Sequence, residues 1–320
     1  MKIVYDGSMD PRLCKNVLGE TIPAMAAEDP DLIYLDADLM NCIGTAKWAA
    51  ANPDRAINCG IAEANMIGVA CGLSAAGFKP IVHTFGPFAS RRVYDQIFLS
   101  GGYAKNSVTV IGTDPGVTAT LNGGTHMPFE DVALYRALPG ATVIDVTDPT
   151  MLISVLRQCK DKEGIKYIRV GRKSYARVYE DGSELPIGKA VTLREGTDAV
   201  IFACGIMVHE AMQAALALEK EGISAAVVDM FTIKPLDREA VLAWAAKTGA
   251  VVTAEEHSII GGLGSAVAEC LAEKLPTPMG RVGTKDTFGE SGEADELLAK
   301  YGLTAADIAA KAKETIKRKN

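Results

Sequence analysis

A single glutamate and two phenylalanines are the residues of this sequence whose types and spacing could do chemistry together. Glu63 stands near the start of a segment rich in glycine and alanine, and Phe85 and Phe88 follow an apolar segment, three residues apart. A carboxyl group can hydrogen-bond a ring nitrogen while an aromatic face stacks on the ring, so this combination suits a nitrogen heterocycle. The same residues would also serve as a helix-terminal glutamate and two core aromatics, and the residues alone leave both interpretations open.

Two other stretches predict ligand contacts without indicating the ligand. Asp36 and Asp38 end a short apolar strand. Parallel sheets present their ligands at the carboxyl ends of strands, so carboxylates there are candidates for binding. Residues 114–127 are rich in glycine and threonine and show no apolar periodicity. A loop of this length inside a compact domain is usually functional.

The composition is that of a globular protein with a substantial core. Of 320 residues, 48% are hydrophobic and 23% are charged, and this length favours two domains. The formal net charge of −7 gives no indication of nucleic-acid binding or of an anionic membrane partner. The first residues lack the apolar run of a signal peptide, and no stretch of about 18 apolar residues could span a bilayer.

The seven cysteines are odd in number, scattered and without Cys-x-x-Cys spacing. This distribution favours reduced, mostly buried thiols over a disulfide set or a zinc site, and we expect a cytoplasmic protein. The four histidines do not cluster in sequence and therefore indicate no metal site.

Strand and helix patterns alternate along the chain, which predicts parallel sheets covered by helices on both faces. Asp148-Pro149 predicts a helix start, with the aspartate as N-cap, and the polar residues 176–190 are typical of a linker. We therefore expect an α/β protein of two domains, residues 1–175 and 191–320, each with a mainly parallel sheet. The predicted helices include 11–28, 62–76, 90–100, 129–138, 209–221, 237–247 and 263–274, and the predicted strands include 31–36, 80–85, 107–112, 141–146, 166–170, 199–204, 225–229 and 250–254.

Three motifs follow one another in the first half of the chain. They are Gly60-Ile-Ala-Glu63-Ala-Asn-Met, His83-Thr-Phe85-Gly-Pro-Phe88 and Gly123-Gly-Thr-His126, the last followed by Glu130-Asp131. In order and spacing these motifs resemble those of transketolases. They look most like the short C-terminal subunits of split, two-chain transketolases, and somewhat less like the matching part of deoxyxylulose-phosphate synthase. The resemblance covers about residues 14–272 and implies a thiamin-diphosphate pyrimidine-binding domain followed by a transketolase C-terminal domain.

For the cofactor, the resemblance implies thiamin diphosphate and a set of residues around its aminopyrimidine. Glu63 matches the catalytic glutamate that holds a proton against the pyrimidine N1′, a role that requires a protonated carboxyl group. Phe88 matches the aromatic that stacks on the ring. The other expected cofactor contacts are Phe85, in the same motif as Phe88, and Ile61, in the motif of Glu63.

For the donor sugar, the resemblance implies contacts from the glycine-rich loop. His126 matches a catalytic histidine that contacts the sugar's hydroxyl groups and relays protons, although a histidine bonded locally in its loop would look the same. Asn122 stands where the family has an aspartate, so an amide replaces a group that can carry charge. Arg91 stands where the family often has tyrosine, and Arg91 and Arg92 are left as either ligand-binding or surface cations.

The residues that bind the substrate's phosphate in the family are also altered. Asp114 takes the position of a histidine, and Cys42 that of a serine. The family arginine near the N-terminus falls on Lys15 or, with a small shift, on Arg12, and Arg172 matches a phosphate-binding arginine directly. A carboxylate at a phosphate site is unfavourable for a dianion, so we expect a substrate other than the ordinary pentose phosphates.

The sequence has no Gly-Asp-Gly, the motif with which the family holds the cofactor's diphosphate through Mg²⁺. The resemblance therefore implies an N-terminal partner subunit that carries this motif and holds most of the Mg²⁺ site, in an α2β2 heterotetramer. The expected activity is transfer of a two-carbon ketol unit from a ketose to an aldose. Two alternatives remain at this point: the β subunit of a 2-oxoacid dehydrogenase, and a non-catalytic or regulatory subunit of the same fold.

Overall fold

Two mainly parallel sheets organise the chain. The computed structural model describes residues 1–171 and 174–319. Its strands are β1 Leu32–Asp36, β2 Ala56–Asn58, β3 Lys79–Phe85, β4 Val108–Thr113, β5 Thr142–Asp145, β6 Ile165–Val170, β7 Val191–Arg194, β8 Ala199–Ala203, β9 Ala225–Asp229, β10 Thr232–Lys234, β11 Val251–Ser258 and β12 Met279–Thr284.

Helices connect these strands in the alternating order that the sequence predicts. They are α1 Cys14–Glu28, α2 Ala46–Ala51, α3 Glu63–Ala75, α4 Gly86–Ala89, α5 Tyr94–Gln96, α6 Asp131–Ala137, α7 Pro149–Asp161, α8 Met207–Lys220, α9 Arg238–Thr248, α10 Leu263–Lys274, α11 Ala294–Lys300 and α12 Ala305–Ile316. Shorter 3-10 turns cover Arg91–Val93 and Gly116–Asn122, and a π turn covers Ile97–Tyr103.

The first sheet has seven strands in the order β10–β5–β6–β4–β3–β1–β2, and β10 alone runs antiparallel to its neighbour. Successive residues of a strand point to opposite faces, and both faces are covered. Tyr34 and Ile81 pack in the cluster that contains α1 and α7, whereas Leu35 and Val82 pack in the cluster that contains α3. This arrangement confirms the predicted α/β architecture of the first half.

The second sheet has five strands in the order β12–β11–β8–β9–β7, parallel except for the edge strand β7. Strands β8 and β9 are buried along their whole length, as parallel strands covered on both faces must be. The second half therefore also has the expected fold.

The two halves share secondary structure and core. Strand β10 follows the second half's β9 but completes the first half's sheet. Within 176–190, Tyr179 is buried and donates a hydrogen bond to Asp229 Oδ2 at 2.8 Å. Met9 and Ile3 form isolated bridges with Ala176 and Tyr179. The segment expected to be a linker thus packs between the N-terminal strand-like segment and the second half.

The helix predicted over 90–100 is interrupted. Ser90 leaves helical dihedral angles, with φ −117° and ψ −91°, and its hydroxyl donates to the Gly86 carbonyl oxygen at 2.7 Å. Such side-chain bonds to the preceding turn compete with the backbone ladder. The chain therefore passes from α4 through a 3-10 turn into α5 and a π turn, and the 3-10 turn carries Arg91 and Arg92.

Membrane-spanning helices, metal-binding clusters and disulfides are absent from the described residues. None of their helices is long and apolar enough to cross a membrane. They contain no cluster of His, Cys, Asp and Glu side chains that could hold a metal ion. Residues 1–171 and 174–319 form no disulfide, and five of the seven cysteines are buried.

Candidate active site

Glu63 is the first residue of α3, where a carboxylate favours the positive end of the helix dipole. The chain enters the helix through Gly60, whose φ of +70° lies in the left-handed region that glycine accepts without strain. The Glu63 side chain is buried, with 4% relative exposure, and its Oε1 accepts a hydrogen bond from Arg92 Nη1 at 2.7 Å. A carboxylate is thereby fixed in a nearly water-free position.

Three rings meet beside the arginine that binds this carboxylate. Phe85 ends β3 and Phe88 lies in α4, with their ring centroids 6.4 Å apart. The His126 ring lies edge-on to both, at 6.1 Å from Phe85 and 5.2 Å from Phe88. The guanidinium carbon of Arg92 lies 3.8 Å from the centroid of Phe88. The structure therefore gathers Glu63, both phenylalanines and His126 from separate segments into one cluster.

The loop that carries Asn122 and His126 bends sharply at several points. Thr120 has φ 51° and ψ −122° inside the 3-10 turn, and Gly123 follows with φ 76°. Asn122 is exposed and His126 is half-buried, and the His126 Nδ1 lies 2.8 Å from the Thr125 hydroxyl. The loop thus presents an amide and an imidazole close to the aromatic rings.

Arg91 ties the same loop to the interrupted helical segment. Its Nη1 donates to Glu130 Oε1 at 2.7 Å, and its Nη2 donates to the Thr125 carbonyl oxygen at 2.8 Å. The two arginines whose role the sequence left open therefore differ. Arg91 binds the loop that carries Asn122 and His126, and Arg92 binds Glu63.

A cavity at the carboxyl ends of the parallel strands holds three of the predicted substrate-binding residues. Its volume is about 270 Å³, and it is lined by Lys15, Cys42 and Asp114 together with Ile43, Thr113, Val170 and Gly171. Carboxyl ends of strands in open α/β sheets are the usual place for a ligand.

The remaining predicted phosphate-binding residues are not in this group. Arg12 pairs instead with Asp10 and Asp181, each at 2.8 Å, and lines a different cavity. Of the two candidates for the N-terminal cation, the structure places only Lys15 with Cys42 and Asp114. Arg172 lies outside the described residues.

Asp36 does not present its carboxylate to a ligand, contrary to expectation. It is fully buried, its Oδ2 lies 2.7 Å from His83 Nδ1 and accepts from the Tyr34 hydroxyl, and its Oδ1 accepts from the Leu39 amide. His83 Nε2 in turn lies 3.0 Å from the Thr113 hydroxyl. The carboxylate therefore organises the strand ends behind the cavity.

Comparison with known proteins decides the family. Residues 12–177 match the pyrimidine binding domain of transketolase, and residues 188–308 match the transketolase C-terminal domain. The chain belongs to the transketolase family.

Two relatives that match this chain along nearly the whole length of both proteins are named as transketolase subunits. A 6-deoxy-6-sulfo-D-fructose transketolase subunit, SqwH, of Clostridium sp. (strain MSTE9) is 51% identical over 92% of this chain and 92% of its own. An apulose-4-phosphate transketolase subunit of Phocaeicola vulgatus is 35% identical over 95% of this chain and 98% of its own. A solved structure described as a split gene transketolase, inactive beta4 tetramer, has a TM-score of 0.90 and 42% identity over 96% of this chain and 99% of its own.

The protein is thus a subunit of a transketolase, a transferase of ketol groups, and the family expected from the motifs is confirmed. These relatives do not favour either alternative, the 2-oxoacid dehydrogenase β subunit or the non-catalytic subunit. Transketolases depend on thiamin diphosphate, so the cluster around Glu63 can be compared with that cofactor's needs.

The residues of this transketolase subunit fit the pyrimidine half of thiamin diphosphate. The buried carboxyl group of Glu63, when protonated, can donate a hydrogen bond to a ring nitrogen, and the faces of Phe85 and Phe88 can pack on an aromatic ring. Ile61, the other predicted contact, is 78% exposed in this chain. The roles of these residues, and those of Asn122 and His126, stay predictions.

Sequence reasoning assigned neither Arg92 nor His83 to the site. Arg92 follows Phe88 by four residues, but the non-helical Ser90 lies between them, so helical spacing does not indicate the contact. His83 lies inside an apolar strand, and nothing in its neighbourhood in the sequence shows that Asp36 and Thr113 flank it.

Proposed function

We propose that this transketolase subunit transfers a two-carbon ketol unit from a sulfonated ketose of the 6-deoxy-6-sulfofructose kind to an aldose. The observation that carries the proposal is the position of Asp114 in the cavity with Lys15 and Cys42. The relative that is 51% identical is named for that sulfonated ketose, which supports the same conclusion.

Charge explains why the cavity suits a sulfonate better than a phosphate. A phosphate monoester carries a charge of about −1.5 to −2 at neutral pH, whereas a sulfonate carries one negative charge. Asp114 adds a carboxylate to the cavity that also contains the cation of Lys15. A carboxylate repels the anionic tail of a substrate in proportion to the charge on that tail. The monoanion therefore meets less repulsion, and the predicted contact from Arg172 would serve either tail.

The geometry of the cluster supports the roles that we assign to its residues. Glu63 holds a proton at the pyrimidine nitrogen, and Phe85, Phe88 and Ile61 pack around that ring. His126 and Asn122 bind the hydroxyl groups of the ketose, and His126 relays a proton during bond cleavage. Thiamin diphosphate, when bound, supplies the electron sink that lets the carbon–carbon bond break, while the protein orients and polarises the reactants.

The proposal includes an N-terminal partner subunit, assembled as an α2β2 heterotetramer, that holds the diphosphate through Mg²⁺. Exposed apolar and small residues around Glu63 support a partner surface: Ile61 is 78% exposed and Val69 is 36% exposed. A Cβ added at Gly68 or Gly72 of α3 would meet no described atom within 4 Å, so another backbone can approach there. Exposed apolar patches of this kind mark interaction sites.

The test uses this chain co-purified with a partner that carries Gly-Asp-Gly. Ketol transfer is compared between 6-deoxy-6-sulfofructose and fructose 6-phosphate, first with the wild type and then with Asp114→His, which restores the family's histidine. We expect the wild type to prefer the sulfonate in kcat/KM, and Asp114→His to shift the ratio toward the phosphate by about tenfold, which corresponds to about 1.4 kcal/mol.

Asp54→His, an exposed change outside the cavity, is the matched control and should leave the ratio unchanged. A wild-type preference for the phosphate would overturn the substrate assignment. Cofactor binding without turnover of any sugar would favour the non-catalytic subunit instead.

A further inference from the structure

Two adjacent glutamates of β11 serve different parts of the molecule. Glu255 and Glu256 are both buried, with 1% and 2% relative exposure. Glu255 caps the start of α10, because its carboxylate accepts from the amides of Leu263 at 2.6 Å and Gly264 at 2.8 Å. Glu256 contacts the first half of the chain: its Oε1 accepts a hydrogen bond from the amide of Thr118 at 2.8 Å.

The contact of Glu256 lies at the beginning of the loop that presents Asn122 and His126. Gly116 has φ +55°, and a Cβ added there would lie 2.7 Å from the Glu256 carboxyl carbon. The loop backbone therefore lies directly on the carboxyl group, and only glycine allows this approach together with a left-handed φ.

The far end of the same loop also rests on the second half of the chain. A Cβ added at Gly123 would lie 2.5 Å from the Ser291 hydroxyl oxygen, and one at Gly124 would overlap the Gly289 carbonyl oxygen. These two glycines separate Asn122 from Thr125 and His126. The loop is thus held at both ends, by Glu256 and by residues 289–291.

Glu256 is held in place from behind by a buried arginine. Arg169 Nη2 donates to the Glu256 carbonyl oxygen at 2.6 Å, while its other nitrogens bind Asp131 at 2.8 Å and Asp145 at 3.2 Å. All four side chains are buried. Burial raises the pKa of Glu256 to about 8, an effect that Arg169 and the Thr118 amide oppose.

We infer that Glu256 is a positioning residue for the donor sugar: it fixes the loop from which Asn122 and His126 contact the ketose. The inference rests on the roles that the proposed function gives to those two residues. It assigns to the C-terminal half of the subunit an indirect part in substrate recognition, through the position of this loop. Loss of the Glu256 contact should loosen the loop, including His126, while Glu63, Phe85 and Phe88 keep their positions.

The first experiment needs no turnover. Backbone hydrogen exchange is followed over residues 116–126 in the purified complex of wild type, Glu256→Ala, Glu256→Gln and Glu255→Ala. We expect exchange in the loop to increase about tenfold in Glu256→Ala, because the buried Thr118 amide loses its acceptor. Glu256→Gln keeps an acceptor oxygen and should restore most of the protection. Glu255→Ala should increase exchange at the start of α10 instead.

Kinetics then separate positioning from general stability. Glu256→Ala should raise the KM of the ketose donor about tenfold while the Kd of thiamin diphosphate stays unchanged. Equal loosening of the loop by Glu255→Ala, or unchanged loop exchange in Glu256→Ala, would overturn the inference even if the enzyme proves to be a sulfosugar transketolase. A wild-type complex without turnover but with the expected exchange pattern would instead contradict only the proposed function.

Discussion

The carboxylate of Glu63 accepts a hydrogen bond from Arg92, and the same guanidinium lies over the ring of Phe88. These are the carboxylate and the ring that we propose for binding the aminopyrimidine. A pyrimidine stacked on that face of Phe88 and bonded to Glu63 Oε1 would meet Arg92 in both places. Arg92 is 44% exposed and can turn outward, so at the residue scale we expect it to compete with the cofactor.

Substituting Arg92 tests this competition. Arg92→Gln should lower the Kd of thiamin diphosphate about fivefold to thirtyfold, since the ion pair with Glu63 and the cation–π contact with Phe88 each contribute about 0.5–1 kcal/mol, or about 1–2 kcal/mol together. Titration of the purified complex measures the Kd, with Arg157→Gln as a control because Arg157 pairs with Glu28 on the surface. Weaker cofactor binding by Arg92→Gln would show that the arginine supports the ring rather than displacing it.

Removing the acid of Glu63 tests its proposed role directly. Glu63→Gln should fold and assemble with the partner but lose at least about 100-fold in turnover, because the amide cannot hold or release a proton. Activity is measured as ketol transfer, and circular dichroism reports the fold. Glu20→Gln, an exposed change on α1, serves as the control and should retain wild-type activity. Substantial residual activity in Glu63→Gln would contradict the assignment.

The sequence indicated the cluster of Glu63, Phe85, Phe88 and His126 because these residues lie in motifs, and the structure brings their side chains together. The expectation that Asp36 presents its carboxylate to a ligand was wrong. A strand-end carboxylate looks the same in sequence whether it faces a ligand or a buried histidine, and the pairing with His83 depends on the register of β1 and β3.

At the scale of elements, local signals predicted the helix starts well. Asp148 caps α7 as the Asp-Pro pair indicated, since its Oδ1 accepts from the Met151 amide at 2.7 Å. Strands β2, β7, β10 and β12 were not predicted. Strand β12 contains two glycines, whose preference for strands is low, and forms because β11 pairs with it. Strand β10 depends on β5, which is distant in sequence.

Asp148 joins two elements and should therefore matter more than an ordinary cap. Its Oδ2 also accepts from the amides of Val178 at 3.0 Å and Tyr179 at 2.8 Å. Asp148→Ala should destabilise the fold by about 3 kcal/mol, because a cap is lost and buried amides are left without a partner. Asp237→Ala, at the cap of α9, also removes the acceptor of one part-buried amide, that of Ala190 at 3.0 Å, and should cost about 2 kcal/mol. Urea unfolding measures both, and equal effects would mean that the two contacts to residues 178–179 add no more than the single contact to Ala190.

At the scale of the whole molecule, the alternation of strands and helices predicted two parallel sheets, and the structure confirms both. What alternation could not show is how closely the halves are joined. Strand β10 crosses from one half to the other, and Arg169 of β6 lies against β11 of the second half. This junction concentrates buried ionisable groups, so the pH dependence of stability should originate there.

Burial raises the pKa of Asp229 and of Glu255 to about 7 and that of Glu256 to about 8. In the unfolded chain these groups titrate near pH 4, so between about pH 4.5 and 7 the folded state binds more protons than the unfolded state. Stability then falls as pH rises. Burial lowers the pKa of His257 to about 4, which acts in the opposite direction, but only between about pH 4 and 6.5.

Between about pH 6.5 and 8 the acids therefore lower the stability of the fold as pH rises, and His257 no longer opposes them. We expect the melting temperature of the protein to fall across that window. Each group adds up to about 1.4 kcal/mol per pH unit below its folded pKa. Glu255→Gln mimics the protonated acid, so the variant should melt with a smaller pH slope, and its advantage over the wild type should grow toward pH 8. Glu273→Gln, an exposed change on α10, should keep the wild-type slope. A melting temperature that rises from pH 6.5 to 8 would mean that these acids are already ionised in the folded protein, with Arg169 outweighing burial at Glu255 and Glu256.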